Sequence, residues 1–286
     1  MIINGKKIAS FIENCVKKEV AKLKRKKIKP LLTVFLIGDS PDQLSFVKIK
    51  EKTAKKLGIG YQIIHLKTIP NFISFIEQIK KENKNPSVSG IIIQQPLPAQ
   101  FSTETIFDYI DIKKDIEGHH RKTRYLPPIG LAVLTILKYI YAGRKIDKRL
   151  LIDLKKDANF FKKVFKNKKI VLLGRGPTGG KPIGQTLQKL KIDFINLHSQ
   201  TENPQEYLKE ADIIISAVGK KVIEPQYLKP GVILINVGLR KENGKLKGDY
   251  EEKEIEKIAS FYTPTPGGIG PIDVAYLYKN LIEASK

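Results

Sequence analysis

The most pointed chemistry in this sequence lies where the apolar run Ile170-Val171-Leu172-Leu173 enters Gly174-Arg175-Gly176-Pro177-Thr178-Gly179-Gly180-Lys181-Pro182. A helical pattern follows, so Gly174, Gly176 and Gly179 fit G-x-G-x-x-G in the strand–turn–helix setting that the motif requires. Glycine keeps the turn tight and lets phosphate oxygens reach the backbone, and the start of the helix favours their negative charge. A purely structural glycine turn would need neither neighbour. With both present, a dinucleotide-binding loop is the better reading. The next strand selects the cofactor. An NAD site places Asp or Glu at that strand's carboxyl end to bond the ribose 2′-hydroxyl. Here the strand ends at His198-Ser199-Gln200-Thr201, and Asp193 lies at its other end. No carboxylate repels a 2′-phosphate, and Arg175 is available to pair with one, so NADP is expected. His198 gains weight from its place at a strand end.

A second group of side chains suits acid–base chemistry. Phe46 and Lys50 are four apart and share a helical face with Ile49, Thr53 and Leu57. Among 52 Lys and Arg a single lysine is ordinarily solvated, but Lys50 on a largely apolar face is placed for proton transfer. Ser40-Pro41-Asp42-Gln43 opens that helix, with Ser40 as N-cap, Pro41 in the first helical position and Gln43 completing a capping box. The strand over 88–93 ends in Gln94-Gln95-Pro96-Leu97-Pro98, and the carboxyl ends of parallel strands are where open α/β sheets bind ligands. Gln94 offers donor and acceptor together, as a pterin-like heterocycle requires. Lys114-Asp115-Ile116-Glu117-Gly118-His119-His120 adds two carboxylates and two imidazoles. Adjacent histidines diverge, so no metal site is expected there.

The elements that must position these residues alternate between strand and helix, the pattern of an α/β protein with parallel sheets. An amphipathic helix is expected over 5–26, with Ile8, Phe11, Ile12, Cys15, Val16, Val20 and Leu23 on its apolar face, so Cys15 reads as a packed core thiol. Strands follow at 31–37, 61–66 and 88–93, with helices near 41–57 and 71–83 between them. A second series has strands at 170–173, 192–197, 213–217 and 232–237, a short one near 259–262, and a last helix over about 271–285. Two α/β lobes flanking a cleft are the economical architecture. Lys50 and Gln94 would then face Gly267-Gly268 across that cleft.

Composition bounds the function. The chain has 286 residues, one cysteine and a net charge of +23. One cysteine excludes an intramolecular disulfide framework and fits a reducing cytoplasm. No signal-like or membrane-spanning run is present, the longest apolar stretch being 126–137. The lysines are spread through almost every segment instead of forming a stripe with interleaved aromatics, so nucleic acid is not the expected partner. A basic surface still attracts anionic small molecules.

Taken in order, these segments resemble the bifunctional methylenetetrahydrofolate dehydrogenase/cyclohydrolase family over nearly the whole chain. Gly38-Asp39 with Val47 and Lys50 resembles its G-D…Y-V-x-x-K segment, and GIIIQQPLP (90–98) resembles G-I-L-V-Q-L-P-L-P. KDIEG (114–118) resembles K-D-V-D-G. Gly174-Arg175 with Pro182, His198-Ser199 with Thr201, Gly248-Asp249, and TPTPGGIGP (263–271) complete the set. The resemblance implies hydride transfer from 5,10-methylenetetrahydrofolate to NADP and then hydration of the methenyl product to 10-formyltetrahydrofolate. It implies Lys50, Gln94 and Glu117 as catalytic residues, and Phe46, Pro96, Leu97, Gly267, Gly268 and Pro271 as folate contacts. Gly174, Arg175, Gly176, Gly179, His198, Ser199 and Leu239 would hold the cofactor.

It also implies a folate-binding α/β lobe over 1–140, joined by a helix over 270–286, a Rossmann-type NADP-binding lobe over 141–269, and a homodimer through the cofactor lobe. The departures border the folate site. Phe46 stands where the family has tyrosine, Glu117 where it has aspartate, and the segment from His120 to Pro127 is about a dozen residues shorter than usual. Two alternatives therefore stand beside the main reading: a dehydrogenase with little cyclohydrolase activity, and a non-catalytic NADP-binding protein.

Overall fold

The computed structural model describes residues 1–101 and 104–286. The chain divides into two compact units, one of residues 12–128 and 274–286, the other of residues 1–11 and 129–273. The chain passes between these units at 11/12, 128/129 and 273/274.

The first unit contains most of α1 (Gly5–Arg25), then β1 (Leu31–Ile37), α2 (Pro41–Leu57), β2 (Gly60–Leu66), α3 (Phe72–Lys84), β3 (Gly90–Ile93) and the end of the last helix. Its three strands are parallel in the order β2-β1-β3. A parallel sheet covered on both faces requires continuous apolar strands, and Leu32 to Ile37 of β1 are all buried, with Thr33 the one polar residue among them. One face packs on Val16, Val20, Leu23, Val47, Leu57, Leu277, Tyr278 and Leu281, the other on Phe75, Ile76, Ile79 and Phe101. Along α1 the apolar residues at 8, 12, 16, 20 and 23 are buried, but Cys15 is only partly so and lies at the edge of that face. Gly58, at φ +73°, ends α2 by turning its N–H onto the carbonyls of Ala54 and Lys55.

The predicted capping box does not form. Ser40 makes no side-chain cap bond, and the Gln43 side chain is buried against the Pro96 carbonyl, 2.5 Å away. The side chain donates to a distant carbonyl instead of turning back to the Ser40 N–H.

The second unit runs through α4 (Pro128–Tyr141), α5 (Leu154–Phe165), β4 (Ile170–Leu173), α6 (Gly180–Lys189), β5 (Ile195–Leu197), α7 (Pro204–Glu210), β6 (Ile213–Ser216), β7 (Ile233–Asn236), β8 (Arg240–Glu242), β9 (Lys245–Lys247), α8 (Glu252–Ile255) and β10 (Phe261–Tyr262). Five parallel strands lie in the order β10-β7-β6-β4-β5. The chain leaves β4 for β5 on one side and returns to β6 on the other, so the carboxyl ends of β4 and β6 form the switch point where such sheets bind ligands. The N-terminus extends the far edge: Ile2 bridges Tyr262, Ile3 N–H donates to the Tyr262 carbonyl at 2.8 Å, and the Met1 ammonium donates to the Ser260 carbonyl at 2.7 Å.

Most of the stretch over 126–137 belongs to α4, which begins at Pro128 and whose residues 130–138 are all buried. Gly130 is needed there because a Cβ would lie 2.0 Å from Thr186 Oγ1 on α6. Lys138 of α4 is buried with Asp157 of α5 at 2.6 Å, which ties down the intervening residues. α9 (Ile269–Ala284) contributes residues to both units, as α1 does.

The strand expected over 192–197 begins only at Ile195. Lys191 adopts φ +54° and Ile192 N–H returns to the Leu187 carbonyl, so Ile192 closes α6 instead of opening the strand. Sequence reading also passed over the β8–β9 hairpin, whose Asn243-Gly244 turn has φ +51° and +71°. Among the described residues no helix is long and apolar enough to cross a membrane.

Candidate active site and cofactor loop

In the unit built on β1–β3, three side chains named from sequence meet. Lys50 Nζ donates to Gln94 Oε1 at 3.0 Å and to Glu117 Oε1 at 3.2 Å. The side chains of Lys50 and Glu117 are only 12% and 19% exposed, so their attraction is screened less than that of a surface pair. Each arrives from a different element: Lys50 from α2, Gln94 from the carboxyl end of β3, Glu117 from the turn that begins at Lys114.

The surrounding bonds fix each contributor. The Tyr278 hydroxyl donates to the Lys50 carbonyl at 2.5 Å and the Tyr61 hydroxyl to the Val47 carbonyl at 3.1 Å, which hold α2 in register beneath the amine. Burial pushes both phenols well above their ordinary range, so they remain donors. Gln94 Nε2 donates to the Gln95 carbonyl at 2.7 Å, which leaves Oε1 for Lys50. Asp115 is buried and accepts the N–H groups of His119 and His120, while Gly118, at φ +74°, turns the chain after Glu117. Lys114 does not enter the site. Its ammonium caps α3 through the carbonyls of Glu82, Asn83 and Asn85, and burial lowers its pKa.

Phe46 and Ile49 lie on the same helix as Lys50 and are 41% and 49% exposed. Large apolar side chains left in water beside a shielded ion pair are suited to an apolar ring. Pro96 is exposed and Leu97 half-buried in the turn after Gln94. Tyr125 is buried, and its hydroxyl is aimed at the Lys113 carbonyl, 3.4 Å away. It does not take the place of the phenol missing at Phe46.

In the other unit, Gly174 follows β4 at φ +98°, and a Cβ there would lie 2.7 Å from the Ala217 carbonyl oxygen. Gly180, which the motif count left out, is tighter still, with its Cβ 2.2 Å from Gly174 O. Gly176 is different: a Cβ there meets nothing within 4 Å, so its exposed backbone is open to a ligand. Gly179 is buried and precedes α6. After β5, Thr201 Oγ1 accepts the His198 N–H and His198 Nδ1 accepts the Gln200 N–H, forming a closed turn with Ser199 exposed at its tip. Arg175 reaches this turn through Gln200 Oε1, 3.4 Å away. An exposed guanidinium, a serine and an open glycine backbone, with the nearest strand-end acid at the far end of β5, fit a phosphorylated ribose. These residues would hold NADP, which supplies a hydride acceptor.

Asp249 organises the neighbouring turns. It is fully buried and accepts from Ser216 Oγ at 2.5 Å and from the N–H groups of Val218 and Gly219, both at 2.9 Å. It also backs Gly238, where a Cβ would lie 2.2 Å from its carboxylate. One carboxylate thus sets the turns after β6 and β7, including exposed Val218 and Leu239. Gly267, at φ +108°, is half-buried, whereas Gly268 is buried and a Cβ on it would lie 2.7 Å from the Pro264 carbonyl oxygen. Gly268 is therefore a close-packing glycine. Pro271 lies half-buried in the first turn of α9.

Residues 3–117 match the catalytic domain, and residues 158–286 the NAD(P)-binding domain, of tetrahydrofolate dehydrogenase/cyclohydrolase. The chain belongs to this family. The bifunctional protein FolD of Brevibacillus brevis is 35% identical over 290 residues, covering 100% of this chain and 97% of that one. That of Staphylococcus carnosus is 33% identical, with 100% and 96% covered. Among solved structures, the FolD dehydrogenase/cyclohydrolase of Campylobacter jejuni is 29% identical with a TM-score of 0.87, covering 100% of this chain and 98% of that one. A methylenetetrahydrofolate dehydrogenase from Bombyx mori is 27% identical with a TM-score of 0.81, covering 100% and 97%.

Within a tetrahydrofolate dehydrogenase/cyclohydrolase chain, three contributors escaped the sequence reading. Gln43 was assigned to a cap, Gly180 fell outside the glycine pattern, and Tyr278 lies 228 residues from the carbonyl it bonds. Only Gly180 carried a local signal, as the second of two glycines opening a helix.

Proposed function

We propose that the protein oxidises 5,10-methylenetetrahydrofolate with NADP to the 5,10-methenyl cation and then hydrates that cation to 10-formyltetrahydrofolate. The observation that carries the reading is the meeting of Lys50 Nζ with Gln94 Oε1 and Glu117 Oε1 at 3.0 and 3.2 Å. Hydration adds the oxygen of water to the methenyl carbon, places one of its protons on the folate nitrogen that leaves that carbon, and releases the other. Lys50 is the group that carries a proton at this centre, Gln94 aims it and Glu117 balances its charge. Phe46, Pro96 and Leu97 supply apolar surface for the folate ring. Hydride transfer needs little acid–base help, so the protein's part in it is positioning. Arg175, Ser199 and the backbone at Gly174 and Gly176 bind the phosphates, and Arg175 prefers NADP over NAD.

The test is to mix purified protein with methylenetetrahydrofolate and NADP and to follow NADPH and methenyl absorbance separately. NADPH formation with later loss of the methenyl band is expected, and loss of hydration alone is expected in Lys50→Met. No NADPH formation overturns the reading.

A second reading, hydration slower than oxidation, is favoured by one observation: Phe46 lacks a hydroxyl, and that of Tyr125 is directed to Lys113. Methenyl product then accumulates during turnover. A cytoplasmic location and a homodimer complete the proposal. The single cysteine supports the first, family membership supports the second, and light scattering of the purified protein tests it.

A further inference from the structure

The ion pair at Lys50 is the middle of a longer chain of polar groups. Glu117 bonds Lys50 through Oε1, and its other oxygen, Oε2, lies 3.8 Å from His119 Nε2. The same imidazole nitrogen is 3.2 Å from Gln95 Nε2. Gln94 and Gln95 are consecutive, so the path Gln94–Lys50–Glu117–His119–Gln95 closes on itself at the carboxyl end of β3. The imidazole is not loosely placed. Its ring packs on Phe107 at 4.7 Å between centroids, and the main-chain N–H of His119 is held by buried Asp115 at 3.1 Å.

We propose that His119 is a positioning residue for the Lys50–Glu117 pair, its charge setting how Glu117 is shared and thereby the pH dependence of hydration. Imidazole is the side chain that ordinarily changes charge between about pH 5 and 8. When it is neutral, Glu117 pairs with Lys50 alone. When it is charged, it competes for the carboxylate and repels the ammonium, which frees Nζ toward substrate. His119 is faced by Glu117 and Asp115 on its own turn and by Lys50 of α2 beyond Glu117. Asp108, on the segment that carries Phe107, is occupied elsewhere: it pairs with Arg121 and lies 3.7 Å from His120 Nδ1. Burial works against the Asp108 charge, but its bonds from Arg121 hold the carboxyl below its ordinary value.

The inference rests on Lys50 acting in hydration, and the experiment separates the two. Hydrolysis of methenyltetrahydrofolate without cofactor is measured from pH 5.5 to 8.5 for wild type, His119→Phe, His119→Gln and Lys50→Met. Phe keeps the ring that packs on Phe107, and Gln keeps a hydrogen-bonding group; neither titrates. The ratio of wild-type to variant rate is expected to rise toward low pH, where an imidazole ordinarily gains its charge. Independently of activity, the imidazole resonance of His119 followed by NMR should shift its titration in Glu117→Gln.

A pH-independent ratio in both His119 variants, or a titration unmoved by Glu117→Gln, overturns the inference. Hydration that persists in Lys50→Met overturns the functional reading beneath it.

Discussion

The hydroxyl of Tyr278 on α9 donates to the main-chain carbonyl of Lys50 on α2 at 2.5 Å. A residue of the last helix thus sets the helix that carries Lys50. Tyr278→Phe removes the donor and keeps the ring. Loss of one such bond is expected to lower stability by about 0.5–1.5 kcal/mol and to slow hydration, because α2 is less firmly placed. Urea unfolding beside the methenyl hydrolysis assay checks both.

Arg175 reaches the turn that ends β5. Replacing it with Ala removes a charge-assisted phosphate contact of about 1.5–3 kcal/mol, or about 10- to 150-fold in NADP affinity. NAD binding should barely change. Fluorescence titration with both nucleotides reads the difference, and equal losses would show that Arg175 does not read the 2′-phosphate.

Phe46 lies one helical turn before Lys50 and is exposed. Restoring a phenol there, in Phe46→Tyr, should speed hydration more than hydride transfer. A hydrogen bond to a charged group contributes about 1.5–3 kcal/mol, so the upper bound on the gain is about 10- to 150-fold. The two absorbance changes, recorded in one turnover experiment, give the ratio directly.

Asp249→Asn puts an NH2 donor in place of one of the two oxygens that accept the N–H groups of Val218 and Gly219, and leaves at least one of them without a partner. A buried unsatisfied donor costs about 1–3 kcal/mol. The turns after β6 and β7 should loosen, raising KM for NADP. Hydrolysis of added methenyltetrahydrofolate, which uses no cofactor, should hold. A parallel fall in both activities would mean that Asp249 serves only stability.

Much of this was legible from residue order. The strands at 31–37 and 170–173 were read to the residue, because parallel strands buried on both faces are unbroken apolar runs. Lys50 and Gln94 were singled out from a helix face and a strand end. Their meeting with Glu117 was not readable, since 67 residues separate the ion pair and only the fold closes that distance. Gln43 shows the opposite error: a local motif was present, but the side chain found a better acceptor at Pro96. The β8–β9 hairpin was missed although Asn243-Gly244 announced it, because its strands are charged and carry no apolar alternation. The pair His119-His120 was weighed only as a metal site. Among the described residues no cluster of His, Cys, Asp and Glu could hold a metal, and the contacts of His119 lead to Glu117 instead.

The N-terminal residues that bridge Tyr262, and the final helix that supplies Tyr278, also fix an order of events during synthesis. Residues 1–11 must wait for their sheet neighbour, because Tyr262 is made 260 residues after Ile2. The unit built on β1–β3 waits as well, because its core lacks Leu277, Tyr278 and Leu281 until those residues are made. Neither half can finish as an N-terminal piece while the other is still being translated, as tandem domains do. A ribosome stalled before residue 260 would therefore present the five-stranded sheet without β10 and the three-stranded sheet without part of its cover.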